Sequence, residues 1–307
     1  MRIFIYSFIG FAFFQISACK KTNNSTIDRV IIIVIDGVRN SDINSDSLLY
    51  YNKGYQELKT KGISFTNYLN AGTTNTQNGM SNILTGHQET LTNNGAEMSD
   101  FPNIFHFYLA KFNLSNDKTW IITSKDKLET LKNTTDVTYS SALFAKTSCG
   151  INGLGTGYRE DSITYQIALS TLKTSQPNLA FITFKEPDYS GHSGNWENYK
   201  KGLKNSITYT QNLINYIQSD AYYQGRTLIL VTNDHGRHLD GVADGFISHG
   251  DDCYGCRHIT LLAISPNITP NTSDMTLYSH DNIAPTIARI LGFPMTSAKA
   301  NSISSIY

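Results

Sequence analysis

Residues Val30 to Ile35, Val-Ile-Ile-Ile-Val-Ile, form an unbroken apolar, mostly β-branched run that ends directly in Asp36-Gly37. With no polar position, the run has no face to give to water. It therefore predicts a strand buried on both sides, as at the centre of a parallel sheet. An acid at the C-terminal end of such a strand lies where open α/β sheets bind ligands, in the crevice beyond the strand ends. Asp36 is then a ligand-facing carboxylate or a turn Asp capping the next segment. Two later buried runs favour the first reading. Asn178 to Phe184 passes into Lys185-Glu-Pro-Asp188-Tyr-Ser-Gly-His192-Ser-Gly194, and Thr227 to Thr232 passes into Asn233-Asp234-His235-Gly236. Three strands that each release an acid at the same edge are poorly explained by turn chemistry. Asp188 and His192, four apart across a permissive glycine, can converge on one metal. His249, in Gly245-Phe-Ile-Ser-His249-Gly250, sits on the loop that follows the third strand.

The other periodicities complete an α/β pattern. Helices are predicted over Ser47 to Lys61, stopping at Gly62, and over Phe101–Phe112, Ser162–Thr174, Trp196–Gln218 and Asp281–Leu291. Strands are predicted at Ile63–Phe65, Thr119–Thr123 (ending in Ser-Lys-Asp), Leu143–Lys146 and Ile259–Ile264. A polar loop, Asn70 to Thr76, leads into a short amphipathic segment with Met80, Ile83 and Leu84, closed by Thr85-Gly86. That places a hydroxyl of Thr73, Thr74 or Thr76 at a helix N-terminus, where the dipole favours an anion or alkoxide; each could equally be a plain N-cap. Gly150 to Gly157 follows no clear strand and reads as a flexible loop near the site mouth, not a nucleotide fingerprint.

The 307 residues, 40% hydrophobic, suit one large α/β domain or two small ones. A net charge of zero gives no sign of a nucleic-acid-binding surface. Residues 1–18 read as a secretory signal peptide: Met1-Arg2, an apolar stretch from Ile3 to Ile16, then Ser17-Ala18 before Cys19. Ile16-Ser17-Ala18-Cys19 resembles a bacterial lipobox, which makes Cys19 the expected lipidation site and residues 19–28 a tether. An exported lipoprotein, periplasmic or on the cell surface of a bacterium and held to the membrane by its lipid, is the expected setting. Cys253-Tyr-Gly-Cys256 has no second pair to make a zinc ribbon, so a local disulfide or two thiols is expected, with Cys149 left over and buried.

Taken together, Asp36 after a strand, a Thr at a helix start, Asp188-x3-His192, Asp234-His235-Gly236 and a later His resemble the alkaline phosphatase superfamily. The similarity is greatest to its nucleotide pyrophosphatase/phosphodiesterase branch. It spans about Val30 to Phe293, and Gly62-Ile-Ser-Phe-Thr-Asn67 and Asn282-Ile-Ala-Pro-Thr-Ile-Ala-Arg-Ile-Leu-Gly292 share it. The resemblance implies a three-layer α/β/α fold with a mostly parallel central sheet, formed by residues 29–307 as one catalytic domain. It implies two divalent ions, for which mixed Asp/His ligation suits zinc ahead of manganese or iron. Asp36, Asp234 and His235 match the ligands of one ion, with the nucleophile as its fourth contact. Asp188 and His192 match two ligands of the other, and His249, His258 or His280 completes it. His249 fits the family pattern best, in a glycine loop ahead of a strand. The family places its nucleophile nine residues before the Thr-Gly closing the short helix, which is Thr76.

The implied activity is hydrolysis of a phosphoric ester, a phosphodiester or nucleotide pyrophosphate, through a phospho-threonine. The expected partner is thus a small phosphate ester or nucleotide. Asn94 lies where related phosphodiesterases keep a phosphoryl-contacting Asn, although Asn93-Asn94-Gly95 also reads as a turn. Lys185, Arg237 and Arg257 flank the motifs as substrate contacts or solvated charges. Sulfatase activity is disfavoured, because Thr76-Gln-Asn-Gly-Met lacks the Cys/Ser-x-Pro-x-Arg setting that sulfatases need. A phosphomonoesterase or sulfatase-like esterase on the same scaffold is the alternative, and a non-catalytic surface binding module is the third reading.

Overall fold

The computed structural model describes residues 1, 25–139 and 143–307. The signal peptide read over residues 1–18 (Met1 apart), the lipidation site Cys19 and the first part of the tether lie outside the described residues. The tether's end runs along the body, where Ser25 N–H donates to Asn267 Oδ1 at 3.0 Å.

In chain order the strands are β1 (Arg29–Ile35), β2 (Ile63–Leu69), β3 (Thr119–Thr123), β4 (Lys146–Cys149), β5 (Leu179–Phe184), β6 (Thr227–Thr232), β7 (His258–Ile264), β8 (Thr272–Asp274) and β9 (Tyr278–Ser279). The helices are α1 (Asn40–Ile43), α2 (Leu49–Lys59), α3 (Thr76–Thr85), α4 (Ile104–Phe112), α5 (Asp161–Thr174), α6 (Asp188–His192), α7 (Trp196–Ser219), α8 (Tyr254–Arg257) and α9 (Ile283–Leu291). All strands join one sheet in the order β4-β3-β5-β1-β6-β7-β2-β8, with β9 also on β2. From β4 to β6 every pairing is parallel; β7 runs antiparallel to both β6 and β2. The sheet is thus mixed and mostly parallel, with β1 inside it.

Because side chains alternate along a strand, β1 feeds two cores. Val30, Ile32 and Val34 pack with Met80 and Ile83 of α3, Phe105 of α4 and Ile287 of α9. Ile31, Ile33 and Ile35 pack with Leu58 of α2, Leu172 of α5, and Leu203 and Ile207 of α7. These two cores make the three layers, and they explain why β1 carries no polar position. Helix α7 buries Tyr199, Leu203, Ser206, Ile207, Thr210, Leu213, Ile214 and Ile217, one stripe at helical spacing. Helix α3 is buried at all ten positions and stops at Gly86 in the left-handed region.

Three boundaries differ from expectation. The strand predicted over 143–146 is β4, Lys146–Cys149, paired to β3 from Trp120↔Lys146. As an edge strand with only Cys149 buried, it carries little apolar pattern to read. Strand β2 continues past Phe65 to Leu69 through an irregularity between Phe65 and Tyr68, where exposed Thr66 and Asn67 interrupt the alternation. The helix predicted from Phe101 starts at Ile104, because Asn103 and His106 form a reciprocal capping box ahead of it.

Candidate active site

Strands β3, β5, β1 and β6 are adjacent and parallel, so their C-terminal ends open on one edge. Lys125, Asp188, Asp36 and Asp234 follow them there. The turn after β1 is tight: Gly37 has φ +64°, and a Cβ at this position would lie 2.6 Å from Asp188 Oδ1. Only glycine suits both the left-handed backbone and that approach. Its N–H donates to Asp234 Oδ1 at 3.1 Å, tying the ends of β1 and β6 together. On the other side of Asp234, Asn70 Nδ2 donates to its carbonyl at 2.8 Å.

Asp36, Asp234 and His235 form one cluster, with a donor atom from each within 4.8 Å of the others. His235 Nδ1 lies 2.8 Å from the Gly236 carbonyl. A carbonyl accepts only, so Nδ1 carries the hydrogen and Nε2 presents its lone pair. Nε2 faces Asp234 Oδ2 at 3.3 Å and Asp36 Oδ1 at 3.6 Å. Among the described residues, Nε2, both Asp36 oxygens and Asp234 Oδ2 are buried without a hydrogen-bond partner. Bare acceptors facing one another inside a protein are costly unless a cation joins them. The donor set therefore fits a divalent ion.

Asp188 and His249 form the second cluster, which His235 shares with the first and which His192 adjoins. His249 Nε2 is 3.1 Å from His192 Nε2, and each is 3.4 Å from Asp188 Oδ1. His249 Nδ1 sits 2.8 Å from the Thr74 carbonyl, which leaves the lone pair of its Nε2 facing the cluster. His192 is the most open of these residues, with half its side chain exposed, while Asp188 is buried. The His235 and His249 rings stack with centroids 3.7 Å apart, so the clusters are contiguous.

Thr76 is the first residue of α3, capped by Asn75, whose side chain accepts from Asn78 N–H. Thr76 Oγ1 is 3.1 Å from Lys125 Nζ. The same ammonium lies 2.7 Å from Asp188 Oδ2 and 2.9 Å from Asp36 Oδ2, the latter an ion pair without hydrogen-bond alignment. Thr73 and Thr74 stay outside this contact; Thr74 Oγ1 instead donates to the Asp251 carbonyl at 2.7 Å.

The titration of the three carboxyls is pulled apart by their surroundings. Burial raises Asp36 against the pull of Lys125. Burial and repulsion from Asp36 raise Asp234 far above the ordinary range. Burial would raise Asp188 too, but Lys125, with His192 and His249 close beside the carboxylate, outweighs it and holds it well below. Burial, reinforced by His249, keeps His235 neutral. Burial works against the charge on Lys125, and Asp188 and Asp36 more than restore it.

Of the alternative histidines, His258 opens β7 with Nε2 3.2 Å from the Thr66 carbonyl. His280 is buried against the Asn233 carbonyl at 2.9 Å, its pKa pushed down to about 4 by burial. Neither joins the second cluster. Asn94 is a turn residue that accepts from Thr92 Oγ1 and Ala96 N–H. Its neighbour Asn93 faces the site: its side chain accepts from Gln77 N–H of α3 and from Lys127 Nζ. Lys127 is pushed down to about 8 by burial and by the charge of Lys125. Arg257 bonds the carbonyls of Asn70 and Ala71, and Lys185 pairs with Glu160. Arg237 is not solvated: it is fully buried, ion-paired with Asp188, and bonded to the Phe246 and Ile247 carbonyls.

Lys125 and Arg237 are thus the site residues that sequence reasoning undervalued. Lys125 had a readable signal, a strand released into Ser-Lys-Asp at the edge used by the three acids. Arg237 stood one residue beyond Gly236 and looked like any flanking charge.

The fold and its clustered strand-end donors define a hydrolase of the alkaline phosphatase superfamily. The chain belongs to the sulfatase family, whose profile it matches over residues 28–293. No curated protein sequence matches it. Among solved structures it is similar to a phosphonate monoester hydrolase from Silicibacter pomeroyi, at 13% identity and a TM-score of 0.65 over 90% of this chain and 76% of the other. It is also similar to the lipoteichoic acid synthase LtaP from Listeria monocytogenes, at 12% identity and a TM-score of 0.65 over 92% and 76%. Murine ectonucleotide pyrophosphatase/phosphodiesterase 5 aligns at 13% identity and a TM-score of 0.61 over 90% and 97%. At these identities the likeness is one of fold.

Removing one partner of a buried ion pair strands the other, at a cost of about 3–5 kcal/mol. Arg237→Ala is expected to destabilise the protein by that amount in urea unfolding. A loss below about 1 kcal/mol, the scale of an exposed pair, would contradict the buried pairing with Asp188.

Proposed function

We propose that the chain is a metal-dependent hydrolase of phosphoric esters, a phosphodiesterase or nucleotide pyrophosphatase, with Thr76 as its nucleophile. One observation carries this reading: the Thr76 hydroxyl stands at the positive end of α3, on Lys125, beside Asp36 of one donor cluster and Asp188 of the other. Asp36, Asp234 and His235, with Thr76, would hold one ion; Asp188, His192 and His249 would hold the other. Two such ions, zinc by the donor set, would supply Lewis acidity to the nucleophile and to the transferred group.

The protein's own groups do the rest. Helix α3 aims its dipole at Thr76 and favours the alkoxide form. The Lys125 ammonium holds the negative charge that builds on Oγ1 as its proton leaves. Attack forms an Oγ1–phosphorus bond and breaks the bond to the leaving oxygen, which departs as an alcohol after taking up the proton that Oγ1 gave to solvent; water then cleaves the phospho-threonine, restoring the Thr76 hydroxyl and releasing the phosphate. Gly37 and the Asn93–Gln77 contact fix the strand-end and helix-end backbones around the reacting hydroxyl. The structural neighbours named for phosphonate ester and nucleotide phosphodiester chemistry support phosphoryl transfer.

Lys125 also favours a second reading. Its ammonium bridges Asp36 and Asp188, one acid from each cluster, and so competes with a second ion for them. A single-ion phosphomonoesterase or sulfatase-like esterase would use Lys125 as a resident cation. On the phosphoric-ester reading the substrate is a small phosphate ester or nucleotide, and the net charge of zero gives no sign of nucleic-acid binding. The lipobox-like Ile16-Ser17-Ala18-Cys19 supports an exported bacterial protein, periplasmic or on the cell surface, anchored to the membrane through Cys19.

With metal-stripped protein and zinc added back, a bis-aryl phosphate is expected to turn over faster than an aryl phosphate or an aryl sulfate. Preference for the monoester or sulfate favours the second reading, and no turnover with any of them leaves a binding module. Thr76→Ala is expected to lose on the order of 10³-fold or more in kcat, and His249→Ala to lose bound metal together with rate. Full turnover by Thr76→Ala refutes the nucleophile. In cells, Cys19→Ala is expected to abolish incorporation of labelled palmitate; retained labelling contradicts the anchor.

A further inference from the structure

Beside the active site lies a second chemistry-bearing cluster that hydrolysis does not use. His238, Asp251, Cys253 and Cys256 each bring a donor atom within 4.8 Å of the others. We propose that these four residues bind a zinc-like ion in a structural site that clips the loop carrying His249 at both of its ends. The proposal does not depend on the hydrolase reading.

Five observations carry it. The donor set, two sulfurs, one imidazole and one carboxylate, is a closed set of the kind that holds zinc without an open position. Zinc at about 2.3 Å from sulfur and 2.0 Å from nitrogen or oxygen needs donor–donor distances of roughly 3.3–3.8 Å; His238 Nε2 and Asp251 Oδ2, now in hydrogen-bond contact at 3.1 Å, need to part by only a few tenths of an ångström to take an ion between them. His238 is oriented as metal-binding imidazoles are: Nδ1 faces Asp244 Oδ1 at 2.9 Å, which leaves Nε2 toward the cluster. The Cys253-Tyr-Gly-Cys256 turn folds back on itself, with Cys256 N–H donating to Cys253 Sγ at 3.4 Å, a bond that favours a thiolate at that sulfur. Finally, two glycines let the two halves meet. A Cβ on Gly236 would lie 2.0 Å from the Gly255 carbonyl, and one on Gly255 would lie 2.5 Å from the Arg237 carbonyl. Gly236 N–H donates to the Cys256 carbonyl at 2.8 Å across that contact.

The consequence falls on the catalytic side. His249 lies between His238 and Asp251 in sequence, and its loop leaves and re-enters the cluster. Thr74 joins the two sites: its Oγ1 donates to the Asp251 carbonyl and its own carbonyl receives His249 Nδ1. An ion here would hold both ends of the segment that delivers His249 to Asp188 and His192. The alternative chemistry for the same two sulfurs is a Cys253–Cys256 disulfide, which removes both as ligands.

Cobalt titration of the reduced, metal-stripped full chain tests the proposal. The expected result is a near-ultraviolet thiolate-to-cobalt charge-transfer band that saturates at the intensity of one cobalt held by two thiolates. The band should persist in Asp36→Asn and His192→Ala, so failure of the hydrolase site would not imitate failure here. Asp244→Asn should weaken the band's apparent affinity by about 10- to 100-fold. Cys253→Ser/Cys256→Ser should lose the band and one equivalent of metal. Should that variant fail to fold, the wild-type spectrum decides alone. No thiolate band in reduced wild-type protein overturns the proposal. So does purified protein carrying a Cys253–Cys256 disulfide and no more metal after reduction than before.

Discussion

Three carboxylates buried at one sheet edge set the terms for the rest of the molecule. Asp36, Asp188 and Asp234 are no more than 1% exposed, and they follow adjacent parallel strands. Carboxylates so placed repel one another and cannot recover their hydration, so each must either meet positive charge or hold a proton. The chain supplies two cations of its own. Lys125 lies between Asp36 and Asp188, and Arg237 lies against Asp188 from the opposite side. Asp234 receives only the N–H of Gly37, and its second oxygen stays bare beside His235 Nε2 and Asp36. The uneven compensation is the physical ground for a cation site at Asp36, Asp234 and His235.

The fold exists around that edge. Both faces of β1 are closed by helices, so the strand can be wholly apolar and rigid up to the residue where chemistry begins. Helix α3 is buried on every side, which holds Thr76 at a defined place without help from a flexible loop. The imidazoles are aimed by carbonyls: Gly236 for His235 and Thr74 for His249. Loop 237–257 is braced from inside by Arg237, which bonds two of its carbonyls, and at its ends by His238 and the Cys253–Cys256 turn. Stability and site geometry therefore share the same residues.

Much of this was legible in the sequence, for a physical reason. Strands buried on both faces must be apolar, so a polar residue at their ends stands out. That contrast exposed Asp36, Asp188, Asp234 and His235, and with them the α/β class. His192 was legible through its spacing from Asp188, and His249 through the resemblance to the family pattern. The missed parts were those whose meaning depends on tertiary placement. A lysine after β3 reads as solvated until the sheet order puts β3 beside β5. Arg237 reads as surface charge until α6 closes over it. The continuation of β2 and the position of β4 were hidden because their exposed or irregular residues carry no alternation. Cys253 and Cys256 read as a local disulfide or two thiols, and they are two free thiols with Cys149 buried; what spacing does not announce is the fold-back that brings His238 and Asp251 beside them.

The central claim is that Thr76 is the atom-transferring nucleophile of a phosphoric ester hydrolase. The most direct measurement is a rapid acid quench of zinc-loaded protein during turnover of a bis-aryl phosphate, followed by mass analysis of the peptide containing Thr76. The account predicts a burst of one aryl alcohol per site and an aryl-phosphoryl group on Thr76 that disappears as substrate is exhausted. A burst with the group on another residue, or steady turnover with Thr76 unmodified throughout and no burst, would contradict it.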